Sequence, residues 1–183
     1  MSTDKKDVIA LLEDQHQEIR RLFGVVEQAK GDERTDAFRE LVRLLSVHET
    51  AEEELVHPEV RRQQGGEPVV EARVGEEHRA KELLSTLDGM GPDAEGFDTL
   101  LIQLRDDVLA HAEHEERLEF PLLRQAYDAK RLEAMADTVR AAEAVAPTRP
   151  HPGTESAAKN MLLGPPAALM DRARDAIRSV LKR

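Results

Sequence analysis

The chain of 183 residues has no cysteine, no tryptophan, one tyrosine and four phenylalanines. Without cysteine there can be no disulfide, no thiolate metal site and no cysteine nucleophile. No stretch approaches the ~18 consecutive apolar residues of a membrane span. The opening MSTDKKDVIALLEDQ turns acidic where a secretory signal would carry its apolar core, so a cytoplasmic protein is expected. Positive charge is also scarce: 26 Lys and Arg stand against 37 Asp and Glu, a formal net charge of -11. A basic surface for nucleic acid or anionic membrane is therefore not expected, and neither partner is predicted. There is no P-loop, dinucleotide fingerprint or Ser-centred elbow, and Gly65 and Gly66 sit in a polar loop.

What is present suits helices. Charged residues make up 34% and apolar residues 40% of the chain, the balance of a bundle built from Leu, Val, Ala, Glu and Arg. Apolar residues recur at alternating steps of three and four. In a first helix, from about Asp4 to Lys30, the stripe is Ile9, Leu12, His16, Ile19, Phe23 and Val26. A second helix, starting near Thr35, carries Phe38, Leu41, Leu45, His48, Glu52 and Leu55, and is expected to bend or fray after Pro58. A third, from about Glu67 to Leu87, has the weakest pattern: Val70, Val74 and Leu84, with His78 one turn after Val74 and Lys81 on the same side. The fourth, about Ala94 to Ala126, reads Phe97, Leu101, Leu104, Val108, His111, Glu115, Leu118 and Leu122. Short to moderate loops between four long helices predict an all-α, up-down-up-down antiparallel four-helix bundle over residues 1–127.

Residues 128–183 form a C-terminal extension. A fifth helix, Asp128 to Ala144, carries Leu132, Met135 and Val139; the Pro-rich VAPTRPHPGTES follows as an extended linker. A terminal amphipathic helix from about Pro166 to Arg183 carries Leu169, Ala173, Ile177 and Val180 opposite Arg172, Arg174, Arg178 and Lys182. Its apolar face has two uses, packing back on the bundle or forming a homodimer or partner contact.

The strongest signal is a repeat. HETAEEELVHP at residues 48–58 returns 63 residues later as HAEHEERLEFP at 111–121, a doubled H-x-x-x-E-E-x-L-x-x-P. His16 precedes His48 by 32 residues and His78 precedes His111 by 33. A His and a Glu four residues apart project from one helix face, as ligands of a shared site must. His16, His48, Glu52, His78, His111 and Glu115 are thereby predicted to meet in one interior layer. An ionised carboxylate buried without a partner costs several kcal/mol. A domain stable by ~5–15 kcal/mol cannot hold six such groups unless they satisfy each other or a cation. Two metal ions meet that demand, with each carboxylate bridging. Nitrogen and oxygen donors without sulfur favour iron or manganese over structural zinc, and two iron ions are expected.

At these residues the chain resembles the hemerythrin-like family, the proteins with HHE cation-binding domains, over about residues 5–127. The resemblance implies a carboxylate-bridged di-iron centre whose ligands are His16, His48, Glu52, His78, His111 and Glu115, with no catalytic residue beyond the metal centre. One iron would draw mainly on His16 and His48, the other on His78 and His111. Glu49 matches a carboxylate that binds iron in some eukaryotic members, and Glu116 is an alternative to Glu115. The departure is in the third helix, where oxygen carriers place two histidines and this chain has one. His114 or His57 could compensate, or else stand as outer-shell or surface residues, and Tyr127, just past the last motif, is either a further residue reaching the site or an ordinary bundle-end residue. The reduced histidine count shifts the expectation from oxygen carriage to handling of peroxide, in a catalase-like manner, or of nitric oxide. A non-enzymatic sensor or carrier of oxygen, nitric oxide or iron is the alternative.

Overall fold

The computed structural model describes residues 5–145 and 166–182, and among them it contains helices and no strand. α1 runs Val8–Gln28, with Asp7 accepting the Ala10 N–H at 2.8 Å as its N-cap. α2, Gly31–Ala51, begins four residues before Thr35 and continues without a break through a π-helical turn, Glu52–Val56, into α3, His57–Arg61. α4 is Gly66–Met90. α5, Phe97–His114, likewise passes through a π-turn, Glu115–Glu119, into α6, Phe120–Ala126. α7, Ala129–Val145, and α8, Pro166–Leu181, complete the described helices. The expected linker VAPTRPHPGTES, residues 145–156, lies outside the described residues but for Val145, which ends α7.

The first four long segments form the expected bundle, with α7 and α8 added to it. The α3–α4 corner is tight: a Cβ on Gly66 would lie 1.9 Å from the Val60 carbonyl oxygen, so only glycine fits there.

The two π-turns explain where the expected stripes fail. Pro58 and Pro121 lack an N–H and their rings crowd the carbonyl four residues back, which disfavours a regular α-turn just before them. The wide turn relieves this: the His57 N–H bonds the Glu52 carbonyl and the Phe120 N–H that of Glu115, five residues back in each case. The distortion therefore precedes each proline, where bending or fraying was expected after Pro58. The extra residue also shifts the inward register by one. Glu119, Phe120 and Leu123 are buried, while Leu118, expected in the stripe, is 48% exposed.

α4 needs a second correction. Its buried positions are Val70, Arg73, Glu77, Ala80, Leu84 and Leu87, again at steps of three and four. Val74, which suggested the stripe through His78, is 39% exposed. Two charged residues at seam positions hid the true register.

Among the described residues, two apolar clusters fill the interior. One joins Val8, Ile9 and Leu12 of α1 and Val47 and Ala51 of α2 to Phe120 and Leu123, and to Leu132, Met135, Val139, Ala173 and Ile177 of α7 and α8. The other joins Ile19, Phe23, Phe38, Leu41, Leu45, Leu84, Leu87, Phe97, Leu101 and Leu104. The repeated His and Glu residues fall between these clusters. α8 packs on the outer side of α2, so every α2 residue from Leu41 to Ala51 is buried. Burying Ile177 there contributes roughly 1.5–3 kcal/mol. Arg174 reaches Glu54 at 3.0 Å and Glu53 at 3.4 Å, and Arg178 reaches Glu54 at 2.9 Å, so the helix's basic side closes over the first π-turn. Leu169, Ala173 and Ile177 of its apolar stripe are buried by this packing, the first of the two uses, and Val180 is left 37% exposed.

Candidate metal centre

Four helices each place a donor in the polar layer: His16 from α1, His48 from α2 with Glu52 at its end, Glu77 from α4, and His111 from α5 with Glu115 at its end. All six are at most 8% exposed. His16 Nε2 and His48 Nε2 are 3.1 Å apart. Glu52 spans the layer, with Oε1 3.2 Å from His48 Nε2 and Oε2 4.0 Å from His111 Nε2. Glu115 spans it the other way, with Oε2 3.3 Å from His16 Nε2 and Oε1 3.3 Å from His111 Nε2. Each carboxylate thus turns one oxygen to the His16–His48 half and the other to the His111 half. Two donor groups result: His16, His48, Glu52 and Glu115, and Glu52, Glu77 and His111, with the donor atoms of each within 4.8 Å of one another.

The π-turns begin at Glu52 and Glu115 themselves, so each ligand pair ends a regular helix with a widened turn. Such turns are frequent at functional sites because they re-aim side chains at small energetic cost.

The three interior histidines are oriented from behind. His48 Nδ1 donates to Gln15 Oε1 at 2.7 Å, and Gln15 Nε2 donates onward to Glu143 Oε1 at 2.7 Å. His16 Nδ1 faces Glu116 Oε1 at 2.8 Å, and His111 Nδ1 faces Glu76 Oε2 at 3.0 Å. With Nδ1 committed as a donor, each ring turns Nε2 inward, and that nitrogen offers its lone pair once it carries no proton, the arrangement metal-binding imidazoles require.

The inner atoms are unsatisfied. Both oxygens of Glu52 and of Glu115, Oε2 of Glu49 and of Glu77, and Nε2 of His111 are buried with no hydrogen-bond partner. Buried polar atoms are nearly always paired, and this many in one layer demand a cation or protons. The charge states say the same. Burial, then the neighbouring Glu115, pushes the Glu52 carboxyl well above the usual carboxylate range. Burial also opposes ionisation of Glu115, but the His111 charge and His16 outweigh it and hold Glu115 well below that range. His111 is raised well above 6.5, the Glu115 charge overcoming the effect of burial. Burial, reinforced by His16, pushes His48 down to about 3, so its imidazole is neutral and available as a donor. Protons on Glu52 and His111 and a cation between them are alternative ways of relieving one repulsion. The donor set of imidazole and carboxylate suits a hard or borderline cation.

Of the residues predicted for the site, His16, His48, Glu52, His111 and Glu115 come together. His78 does not: its side chain is 75% exposed and pairs with Glu82 at 3.4 Å, because the α4 register turns Glu77 inward instead. Glu49 is buried beside the layer, its carboxyl raised to about 8 by burial, with Lys81 Nζ 3.6 Å away. Glu116 and His114 lie behind the donors, on His16 and Glu76 respectively. Tyr127 is away from the centre, donating to Glu59 at the bundle end beside Arg131. Sequence reading missed Glu77 and gave His57 no firm place. His57 is buried, with Nε2 2.5 Å from Glu77 Oε1 and Nδ1 2.7 Å from Glu119 Oε1. The three-four spacing Val70–Arg73–Glu77–Ala80–Leu84 was the signal that would have found Glu77.

A cavity of about 10 Å³ adjoins the layer, lined by His16, His48, Glu49, Glu77 and His111 and walled by Ile19, Leu45, Ala80 and Val108. That is room for one water-sized molecule.

Known proteins resemble this chain in family and fold. A DNA nickase of Nostoc sp. is 28% identical over 139 residues, 75% of this chain; the chain spans only 38% of that protein's length. The crystal structure of a hemerythrin HHE cation-binding domain-containing protein from Mycobacterium kansasii matches with a TM-score of 0.66 and 21% identity, covering 76% of this chain and 86% of that one. At that identity the likeness speaks for the fold. Among the described residues no helix is long and apolar enough to cross a membrane. The sequence profile of the hemerythrin HHE cation-binding domain matches residues 7–123, from the start of α1 into α6. The chain therefore belongs to the hemerythrin HHE cation-binding domain family.

Proposed function

We propose that the layer holds two iron ions and that the protein handles peroxide or nitric oxide in the cytoplasm. The observation that carries this reading is the set of buried, unpartnered donor atoms on Glu52, Glu77, His111 and Glu115, arranged so that two carboxylates each face both halves. His16, His48, Glu52 and Glu115 would hold one iron, and His111, Glu52, Glu115 and Glu77 the other. An iron pair bound there supplies redox and Lewis-acid chemistry toward small oxygen and nitrogen species.

The chain's own part is positioning, exclusion and proton holding. Ile19, Leu45, Ala80 and Val108 wall the cavity on its apolar side, and its room for one water-sized molecule restricts entry to the smallest ligands. Glu49, raised to about 8, keeps a proton on its carboxyl at neutral pH beside that cavity. Lys81 links it to the surface, Nζ lying 3.6 Å from both Glu49 Oε2 and Glu77 Oε2. The lack of cysteine and tryptophan leaves fewer easily oxidised side chains around such chemistry. A DNA substrate, as the Nostoc relative's name would suggest for that protein, is disfavoured by the net charge of -11.

The test is metal analysis with an absorption spectrum of protein made in iron-replete medium, followed by peroxide and nitric oxide consumption. Two irons per chain, with turnover lost in His111→Ala, support the reading. Fully loaded protein that changes its spectrum reversibly without turnover is a carrier or sensor instead, and a single zinc would overturn the iron assignment.

A further inference from the structure

The two halves of the centre are related by the repeat, and three positions break that relation together. The offset of 63 residues sets His57 against Phe120 and Val56 against Glu119. In the first half, α1 contributes His16, and Phe120 from the other motif copy stacks on it, ring centroids 5.9 Å apart and planes 8° from parallel. In the second half, α4 contributes Glu77, and the partner from the other copy is His57. An imidazole donor is adequately covered by a phenyl ring. A buried carboxylate is not, since it needs a hydrogen-bond donor and a compensating charge, and phenylalanine supplies neither.

We infer that His57 is the positioning residue for Glu77, and that this pair replaces the His–Phe pair of the first half, making the two metal positions chemically unequal. The inference rests on the di-iron reading. Both ring nitrogens of His57 are taken, Nε2 by Glu77 Oε1 at 2.5 Å and Nδ1 by Glu119 Oε1 at 2.7 Å. The ring is therefore tethered at both ends, and it fixes one oxygen of Glu77. The other, Oε2, is buried without a hydrogen bond, its nearest cation Lys81 standing off at 3.6 Å. That carboxylate lies in the donor group with Glu52 and His111. Glu119 gives the imidazole its second acceptor, at the position where the first copy has the apolar Val56. The histidine that α4 was expected to provide is thus replaced by a carboxylate from the preceding residue, with its counter-group on α3. One metal position has two imidazoles, the other has one imidazole and an additional carboxylate.

The experiment measures iron per chain and Mössbauer spectra for the whole chain and its variants. Wild type is expected to hold two irons in two distinguishable environments. Glu77→Gln, which keeps an acceptor for His57 but loses the anionic donor, is expected to fall to one iron per chain, while His78→Ala keeps two. His57→Phe alone is expected to lose iron from the same position. Because that variant strands two buried carboxylates and its fold is at risk, the deciding protein is the combined His57→Phe, Glu77→His, Glu119→Val. It installs the first half's chemistry in the second and is expected to regain two irons with more nearly equal environments. A purely structural role for His57 would not be rescued in this way. If wild type holds two irons and Glu77→Gln also holds two, or His78→Ala loses one, or the combined variant stays at one, the inference is overturned while the di-iron reading stands. A wild type holding fewer than two overturns both.

Discussion

Replacing His57 by leucine tests how the buried charges are balanced, independently of metal. His57 is 2% exposed and sits between Glu77 and Glu119. Burial alone would push its imidazole down, but the bonds to Glu119 and Glu77 outweigh that and lift it to about 10 from 6.5. A rise of that size corresponds to about 5 kcal/mol favouring the charged ring in the folded state, an upper bound since the carboxylates share it. Breaking one partner out of a buried ionic cluster typically costs about 3–5 kcal/mol, which agrees. The sign follows from a folded value above the unfolded one: the contribution is complete below about pH 6.5 and is lost as pH rises through about 10. Urea unfolding of wild type and His57→Leu, both exhaustively chelated, is the assay. The variant is expected to be less stable by about 3–5 kcal/mol at pH 6, and the gap should close between pH 7 and pH 10.5. A gap below about 1 kcal/mol, or one that does not change over that range, would refute the ionic account of this layer.

Four other outcomes follow from the structure. Metal loading should release protons from Glu52 and His111, both raised, so apparent affinity should climb with rising pH and proton release should register in a weakly buffered titration. Glu52→Gln and Glu115→Gln should each abolish the rise in thermal midpoint that metal confers on wild type, because each removes a group shared by both halves. Ile177→Ala should cost about 2–4 kcal/mol in urea unfolding, whereas Arg178→Ala, whose side chain is 55% exposed in its pair with Glu54, should leave the unfolding curve nearly unchanged. Gly66→Ala should destabilise by about 1–3 kcal/mol or more, since its Cβ would meet the Val60 carbonyl, and His78→Ala should be silent in the same assay.

The legible part of the fold was whatever repeats regularly. The stripes of α1, α2 and α5 are apolar enough that His16, His48 and His111 stand out as exceptions at seam positions, and these residues do converge. In α4 the seam itself carries Arg73 and Glu77, so hydrophobicity pointed to the wrong face and to His78. Past Glu115 the stripe was misread through Leu118 for another reason: the π-turn adds a residue to the helical repeat, and its widened hydrogen bond leaves no hydrophobic signature. His57 was visible as a departure from the repeat, but whether it faced solvent or the interior depended on the corresponding shift at the first π-turn, Glu52–Val56.

From the residues alone came the helical class, the two-part symmetry and the His-Glu pairs, because these are set by spacing along single helices, where neighbours three and four apart must share a face. Which α4 side chain completes the centre, which way His57 points and what covers α2 were decided by tertiary structure. Those choices depend on helix rotation, on two proline-driven π-turns and on α8 returning across residues distant in sequence. The physical reason is that a buried carboxylate such as Glu77 is tolerable only opposite a partner such as His57, and that meeting is made by packing α3 against α4.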